Sequence, residues 1–275
     1  MTSGVLLALG SALVWGSADF CGGRASLRRN AIQVMAVAAV SGVAALTATA
    51  VALGEPLVGG AAALWSMLAG LAGSFGLVCL YRGLALGHAA TAAPTAAVVA
   101  AAIPAVFAAV TQGAPARIQG LGFALALAGI WLVARSSPGV PASRASIRLG
   151  LLAGLGFGGF LVLLALVDEG AVFVPLAIAR ATMLAAGLAV LAARGTPMPS
   201  VGDPLALTAG VLDAGGNVLY LLARQHVRID VAAVLSSLYP VSTVVLAFVL
   251  SREPVTRMQW SGAVVCLVAV SLIAA

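Results

Sequence analysis

The stretch Arg-Ile-Gln-Gly-Leu-Gly at 117–122 returns 140 residues later as Arg-Met-Gln-Trp-Ser-Gly at 257–262, so that Arg117, Gln119 and Gly122 are repeated as Arg257, Gln259 and Gly262. The same offset, without a gap, carries Gly10, Gly16 and Phe20 onto Gly150, Gly156 and Phe160. It also carries Gly76 and Val78 onto Gly216 and Val218, Ala92 and Ala93 onto Ala232 and Ala233, and Leu127, Leu132 and Ala134 onto Leu267, Leu272 and Ala274. In a chain this rich in alanine and glycine, single small-residue matches carry little weight, so the Arg-Gln-Gly trio decides. Between the copies lies the most polar stretch of the chain, SSPGVPASRASIR at 136–148. The reading is a duplication, with a first repeat over 1–137, a linker over 138–147 and a second repeat over 148–275.

Working outward from that repeat, apolar segments of about 20 residues follow one another along the chain, each long enough to cross the ~30 Å hydrocarbon core as a helix. They fall at 3–22, 32–53, 62–86, 89–111, 117–135, 148–167, 171–193, 204–223, 231–251 and 257–274. Turn and charge signals separate them, among them Gly87-His88, Asp168–Gly170 and Ser251–Arg257. The expected fold is therefore an all-α integral membrane protein of ten transmembrane helices. Five helices per repeat is an odd number, so the second repeat starts on the opposite side of the membrane, and the two five-helix repeats are inverted. Inverted halves that meet at the midplane can exchange conformations and expose a central site to each side in turn, which is the logic of secondary transporters.

Composition agrees with the bilayer and excludes other classes. Of 275 residues, 62% are hydrophobic and 8% charged, against about a quarter charged in a typical soluble domain. Mean hydropathy is +1.14. The leading apolar segment lacks the basic start of a secretory signal and is read as the first membrane helix. All 14 basic residues are arginine. A chain without lysine has no Walker A phosphate loop and no Schiff-base chemistry, which excludes an ATP-driven pump within it. The isoelectric point near 10.2 reflects arginine-bearing loops rather than a nucleic-acid partner. Cys21, Cys79 and Cys266 stand singly in apolar segments and read as small core residues. His88 and His226 stand singly near helix ends, with no metal-ligand spacing. No catalytic residue, metal or cofactor is expected.

Charges inside the membrane each need an explanation, because one at the bilayer centre costs at least ~2.5–3.5 kcal/mol. Four fall inside the expected helices: Asp19, Arg82, Arg180 and Asp213. Asp213 and Arg180 lie at similar depth near mid-membrane, and Asp19 and Arg82 both lie about a turn from the ends of parallel helices. These are either two structural ion pairs or groups that face a polar cavity. Asp213, Gly216, Asn217 and Tyr220 share one helix face at spacings of three, four and seven, a hydrogen-bonding stripe unsuited to lipid. Trp15 and Asp19 share a face of the first helix. Tyr239-Pro240 sets an aromatic beside a break in the backbone ladder, where a freed carbonyl can meet a ligand. The candidate substrate-binding residues are thus Trp15, Asp19, Asp213, Asn217, Tyr220 and Tyr239, with Arg82 and Arg180 as charge partners. Gly150, Gly154 and Gly158 form a small-residue face for a neighbouring helix.

LGSALVWGSADF at 9–20, LYRGLALGHAATAAP at 80–94 and LSSLYPVSTVVLAFVLSREPVTRMQWSG at 235–262 resemble segments of EamA-type members of the drug/metabolite transporter superfamily. The last stretch resembles the family's mid-helix proline, apolar run, Glu-containing turn and Gln-x-x-Gly start of the final helix. Glu253 corresponds to Gly113 in the first repeat, where the family often has another glutamate, so that turn is not symmetric here. The resemblance implies ten helices in the cell inner membrane and a multi-pass transporter of small molecules that exports them.

The leading functional reading is secondary transport of small organic solutes, with amino acids or similar metabolites as cargo and a proton as candidate coupling ion. A second reading is efflux of cationic drugs or guanidinium-like compounds. It requires a cavity carboxylate without a partner, and the nearby Arg82 and Arg180 weigh against it. A membrane-embedded enzyme would need a catalytic cluster that the sequence does not display, and a scaffold would leave the polar stripes unexplained. Ten arginines lie in or beside the odd-numbered loops and three in the even-numbered ones. The positive-inside rule then sets both termini outside the cytoplasm, whereas the resemblance implies termini inside it.

Overall fold

A computed structural model of the chain describes residues 2–85, 89–134, 144–167, 170–197, 201–251 and 256–274. Every element of regular structure among them is a helix. The first repeat gives α1 (Thr2–Ser26), α2 (Ala31–Leu53), α3 (Gly60–Ala85), α4 (Ala89–Thr111) and α5 (Arg117–Ala134). The second gives α6 (Arg144–Ala165), α7 (Phe173–Ala193), α8 (Pro204–Arg224), α9 (Ile229–Ser236), α10 (Tyr239–Ser251) and α11 (Arg257–Ala274). Seven stretches are long and apolar enough to cross a membrane, and three shorter apolar helices, Thr95–Thr111, Arg117–Leu132 and Arg257–Ile273, accompany them. The expected turns at Gly87-His88, Asp168 and Glu253, and the linker up to 143, lie outside the described residues.

One expected helix is corrected. The segment 231–251 is broken into α9 and α10 at Ser237–Leu238, although Ile229–Leu250 remains one apolar span. Pro240 explains the break, since it has no N–H to return to the Ser236 carbonyl one turn earlier. α6 also begins earlier than expected, at Arg144 rather than 148.

The principal helix pairings are the same when the two halves are exchanged, with α9 and α10 taken together. α1 packs on α8 and α3 on α6; α2 packs on α8 and α3 on α7; α4 packs on α6 and α1 on α9 and α10. The equivalent helices α2 and α7 pack on each other, as do α5 and α11. Their directions follow from contacts at glycine. Gly42 of α2 lies against the Arg180 side chain of α7, whereas Gly187, further along α7, lies against Met35, earlier in α2. Likewise Gly122 faces Leu272 and Ile273, while Gly129 faces Cys266 and Gly262. Both equivalent pairs are therefore antiparallel.

The seams rely on absent side chains. A Cβ at Gly150 would strike the Ala92 carbonyl oxygen at 2.7 Å, one at Gly154 the Ala96 carbonyl oxygen at 2.8 Å, and one at Gly158 the Ile103 side chain at 2.7 Å. The expected small-residue face of α6 is thus where α4 docks. Gly70 of α3 abuts the Ala179 carbonyl of α7, and Gly210 of α8, 140 residues on, abuts the Ala38 carbonyl of α2. Lipid supplies no hydrophobic force to join helices, so close backbone approach and dispersion must do so.

The two ends of the bundle are tied differently. On the face carrying both chain ends, Arg228 donates to the carbonyls of Gln112 at 3.1 Å and Gly113 at 2.7 Å and pairs with buried Asp230 at 2.9 Å. Arg224 donates to the carbonyls of Ala165 at 2.9 Å and Val167 at 3.0 Å. Glu55 follows Gly54, whose φ of 64° closes α2 in the left-handed region that glycine favours. Its carboxylate accepts from the backbone N–H groups of Val172 at 3.1 Å, Phe173 at 3.0 Å and Val174 at 2.8 Å. One half thereby caps the start of α7 in the other, which has no side-chain cap of its own. On the opposite face, here termed the linker face, Arg29 pairs with Asp203 at 3.2 Å and Gln33 donates to the Pro197 carbonyl at 3.0 Å. Replacing Glu55 with alanine orphans three N–H groups at a positive helix end and should cost about 1–2 kcal/mol. A thermal-unfolding midpoint in detergent that is unchanged by Glu55→Ala would contradict this role.

Candidate functional site

Both halves wall one central cavity. α1 contributes Trp15, Ala18 and Asp19, α2 Met35 and Ala38, and α3 Gly73, Leu77 and Leu80; the second half adds Phe157, Phe160 and Leu161 from α6, Arg180 and Met183 from α7, Asp213 and Asn217 from α8, and Ser237 and Tyr239 from the α9–α10 break. The lining residues of α1, α2 and α3 lie in the halves of those helices nearer the linker face.

Arg180 and Asp213 form an ion pair at the cavity wall. The arginine is the buried member, with a side chain 7% exposed, and Asp213 is the wetter one at 36%. Arg180 also donates to the Met183 sulfur at 3.4 Å. Gly42 of α2 lies against the arginine stem, the site of a Cβ being in ordinary contact with Arg180 Cδ at 3.5 Å. One of the two pairs expected from depth is thus present. The other is not. Arg82 is exposed on α3, and no ion pair joins it to Asp19 among the described residues. Similar depth was a weak guide here, because depth fixes height in the membrane but not the direction in which a side chain leaves its helix.

The polar stripe of α8 divides in two. Asp213 and Asn217 face the cavity. Asn217, 1% exposed, donates through Nδ2 to the Asp213 carbonyl at 2.6 Å, while its Oδ1 has no hydrogen-bond partner among the described residues. Gly216 and Tyr220 turn towards α1. The Gly216 carbonyl accepts from Ser11 Oγ at 2.8 Å, and Gly216 lies against the Trp15 indole. Tyr220 is fully buried behind Trp15, stacked at 6.1 Å between ring centroids, and donates to the Leu161 carbonyl at 3.3 Å. It supports the wall and is not among the residues lining it. Tyr239 reaches the cavity and meets Trp15 edge-on at 6.4 Å and 88°. Trp15 is therefore held from two sides in one orientation.

The break that presents Tyr239 is fixed from α1. Gly16 allows the approach, since a Cβ there would meet the Tyr239 carbonyl oxygen at 2.7 Å, and Thr243 Oγ1 donates to the Gly16 carbonyl at 3.2 Å. Sequence reading missed Phe157, Phe160, Leu161 and Ser237. The repeat itself held a signal for Phe160, which occupies the position of Phe20 in the other copy. His226 is exposed in the turn after α8, Cys79 and Cys266 are buried and Cys21 is partly so, and His88 lies outside the described residues.

A bundle of apolar helices whose halves jointly wall a largely apolar cavity bearing a few charged and polar groups is a polytopic membrane protein with room for a solute at its centre. The model of the EamA-like transporter family matches residues 2–135 and again residues 144–275, and the chain belongs to that family. It is a multi-pass membrane protein, and its family is one of transporters. Comparison with curated proteins gives no match. One crystal structure superposes with a TM-score of 0.79 at 18% identity, covering 99% of this chain and 98% of that one; the likeness bears on the fold.

The unequal burial of Arg180 and Asp213 gives an asymmetric expectation. Asp213→Asn strands a buried charge, whereas Arg180→Gln leaves a carboxylate that cavity water can solvate. The first should destabilise more, and the double variant should recover about 1–3 kcal/mol of coupling. Additive shifts in the unfolding midpoints of the three variants would show that the pair is not formed.

Proposed function

We propose that the chain is a secondary transporter of small organic solutes bearing an amino group, working by alternating access between two inverted five-helix repeats. The observation that carries this is the central cavity, walled by both halves and lined with charges that lipid would not tolerate. Inversion is supported by the antiparallel packing of α2 on α7 and of α5 on α11. A two-fold axis relating antiparallel equivalents stands perpendicular to them, so for membrane-crossing helices it lies in the membrane plane. Repeat bounds near 1–137 and 148–275 agree with this division.

Trp15 and Tyr239 form aromatic walls, Asn217 fixes polar orientation, Asp19 and Asp213 meet the amino group or a proton, and Tyr220 braces Trp15 from behind. The Glu55, Arg224 and Arg228 contacts tie the end that carries the termini, and the cavity lining contributed by the first half lies towards the other. On this reading the arginine-rich linker face is the cytoplasmic one, and export would load the solute from that face. A reporter fused after Ala275 is then expected to be active only outside the cytoplasm. Cytoplasmic activity would reverse the assignment and leave the fold intact.

Reconstituted in ATP-free proteoliposomes, the protein should show counterflow of a labelled solute from a panel of amines, amino acids and neutral analogues. A panel in which nothing moves faster than in protein-free vesicles would contradict transport.

A further inference from the structure

We infer that the cavity is a seat for an amphipathic monocation, held between Asp19, Asn217 and the Trp15–Tyr239 corner, rather than for a zwitterion. The inference rests on the transport reading and names its cargo by charge.

Charge balance comes first. Beside the neutral Tyr239 phenol, three acidic or basic side chains line the cavity: Asp19, Asp213 and Arg180. Arg180 and Asp213 neutralise each other. Asp19 has neither an ion pair nor a hydrogen bond among the described residues: Arg82 is exposed on α3, and Arg24, on the last turn of α1, lies over the Phe20 ring at 5.8 Å. The cavity therefore keeps one carboxyl group without a countercharge, which an arriving cation would hold in its ionised form. A carboxylate inside a helix bundle needs a countercharge, and a monocationic cargo supplies it.

Hydrogen bonding points the same way. Asn217 Oδ1 is a buried acceptor without a donor, and the Asp19 carboxylate is a second acceptor. The guanidinium of Arg180, the cationic donor at the wall, is already engaged by Asp213 and the Met183 sulfur. With the neutral Ser237 and Tyr239 hydroxyls on the same lining, the site beside Asp19 and Asn217 thus favours a ligand group that donates. An ammonium group does so; a carboxylate would bring two more acceptors and a like charge.

The aromatic arrangement completes the seat. Trp15 stands one helical turn before Asp19 on the same face, and Tyr239 stands at a right angle to its ring. A cation beside the carboxylate can lie against an indole face whose orientation is already fixed. Phe157, Phe160 and Leu161 leave an apolar wall for the body of the ligand.

The test compares three molecules with one ring and chain: phenethylammonium, phenylalanine and 2-phenylethanol. Each is titrated calorimetrically into the purified full-length protein at neutral pH. Phenethylammonium should bind about tenfold or more tighter than phenylalanine, the loss of a favourable charge contact being worth roughly that factor, and 2-phenylethanol weakest. Asp19→Asn should abolish the preference for the cation, and Asp19→Glu should keep it, while both variants stay monodisperse in detergent. Equal or tighter binding of phenylalanine, or a cation preference that survives Asp19→Asn, would overturn the inference. So would loss of the preference in Asp19→Glu together with Asp19→Asn, which would mark a packing role. In the counterflow panel, movement of neutral or zwitterionic solutes alone would sink the cation seat and leave transport standing. No movement of any solute would sink both.

Discussion

Arg180 and Asp213 meet across the wall of the cavity, and much of the surrounding structure accommodates that meeting. Each charge would cost at least ~2.5–3.5 kcal/mol at the centre of a bilayer, and pairing reduces that cost only where the partners are held in place. α7 and α8 supply the partners, and α2, from the other half, packs Gly42 against the arginine stem. Because the pair sits where both halves contribute, the space beside it belongs to neither half alone. Asn217 and the Trp15–Tyr239 corner border the same space, with Tyr220 stacked behind Trp15.

Close backbone approach makes this arrangement stable without soluble-style hydrophobic packing. Each third helix sets a glycine, Gly70 or Gly210, against a carbonyl of the other half's second helix, Ala179 or Ala38. A methyl group at either place would force the helices apart and move Arg180 or Asp213 from its partner. The polar ties at the bundle ends add direction. Glu55, Arg224 and Arg228 secure the end with both termini, while the described contacts across the other end are the Arg29–Asp203 pair and the Gln33 bond.

The fold was legible because its signals are long-range and redundant. Apolar length reads as membrane helix, and the repeated Arg-Gln-Gly at 117–122 and 257–262 reads as duplication whatever the details. The break at Ser237–Leu238 was visible as Pro240, but its extent was not, because proline marks a lost hydrogen bond and not how far the chain bends. The site was legible where one helix face carried several polar groups, as with Asp213 and Asn217, or Trp15 and Asp19. It was not legible where the answer depended on rotation between helices: Tyr220 shares a face with Asp213 yet is buried behind Trp15, and Arg82 shares depth with Asp19 yet leaves its helix elsewhere. Buried Asp230, in the first turn of α9, and the capping Glu55, in the turn after α2, were hidden because sequence shows a charge and not the groups it meets.

The account stands on the two halves having opposite orientations in the membrane, and positions 57 and 197 test it directly. They are equivalent under the 140-residue offset, and Leu57 and Pro197 are both exposed, in the α2–α3 and α7–α8 turns. In a background with Cys21, Cys79 and Cys266 replaced by alanine, a single cysteine is placed at each position in turn. Intact cells are then treated with a membrane-impermeant maleimide. Opposite orientation predicts that one of the two is labelled from outside and the other only after the cells are permeabilised. Labelling of both from the same side would contradict it.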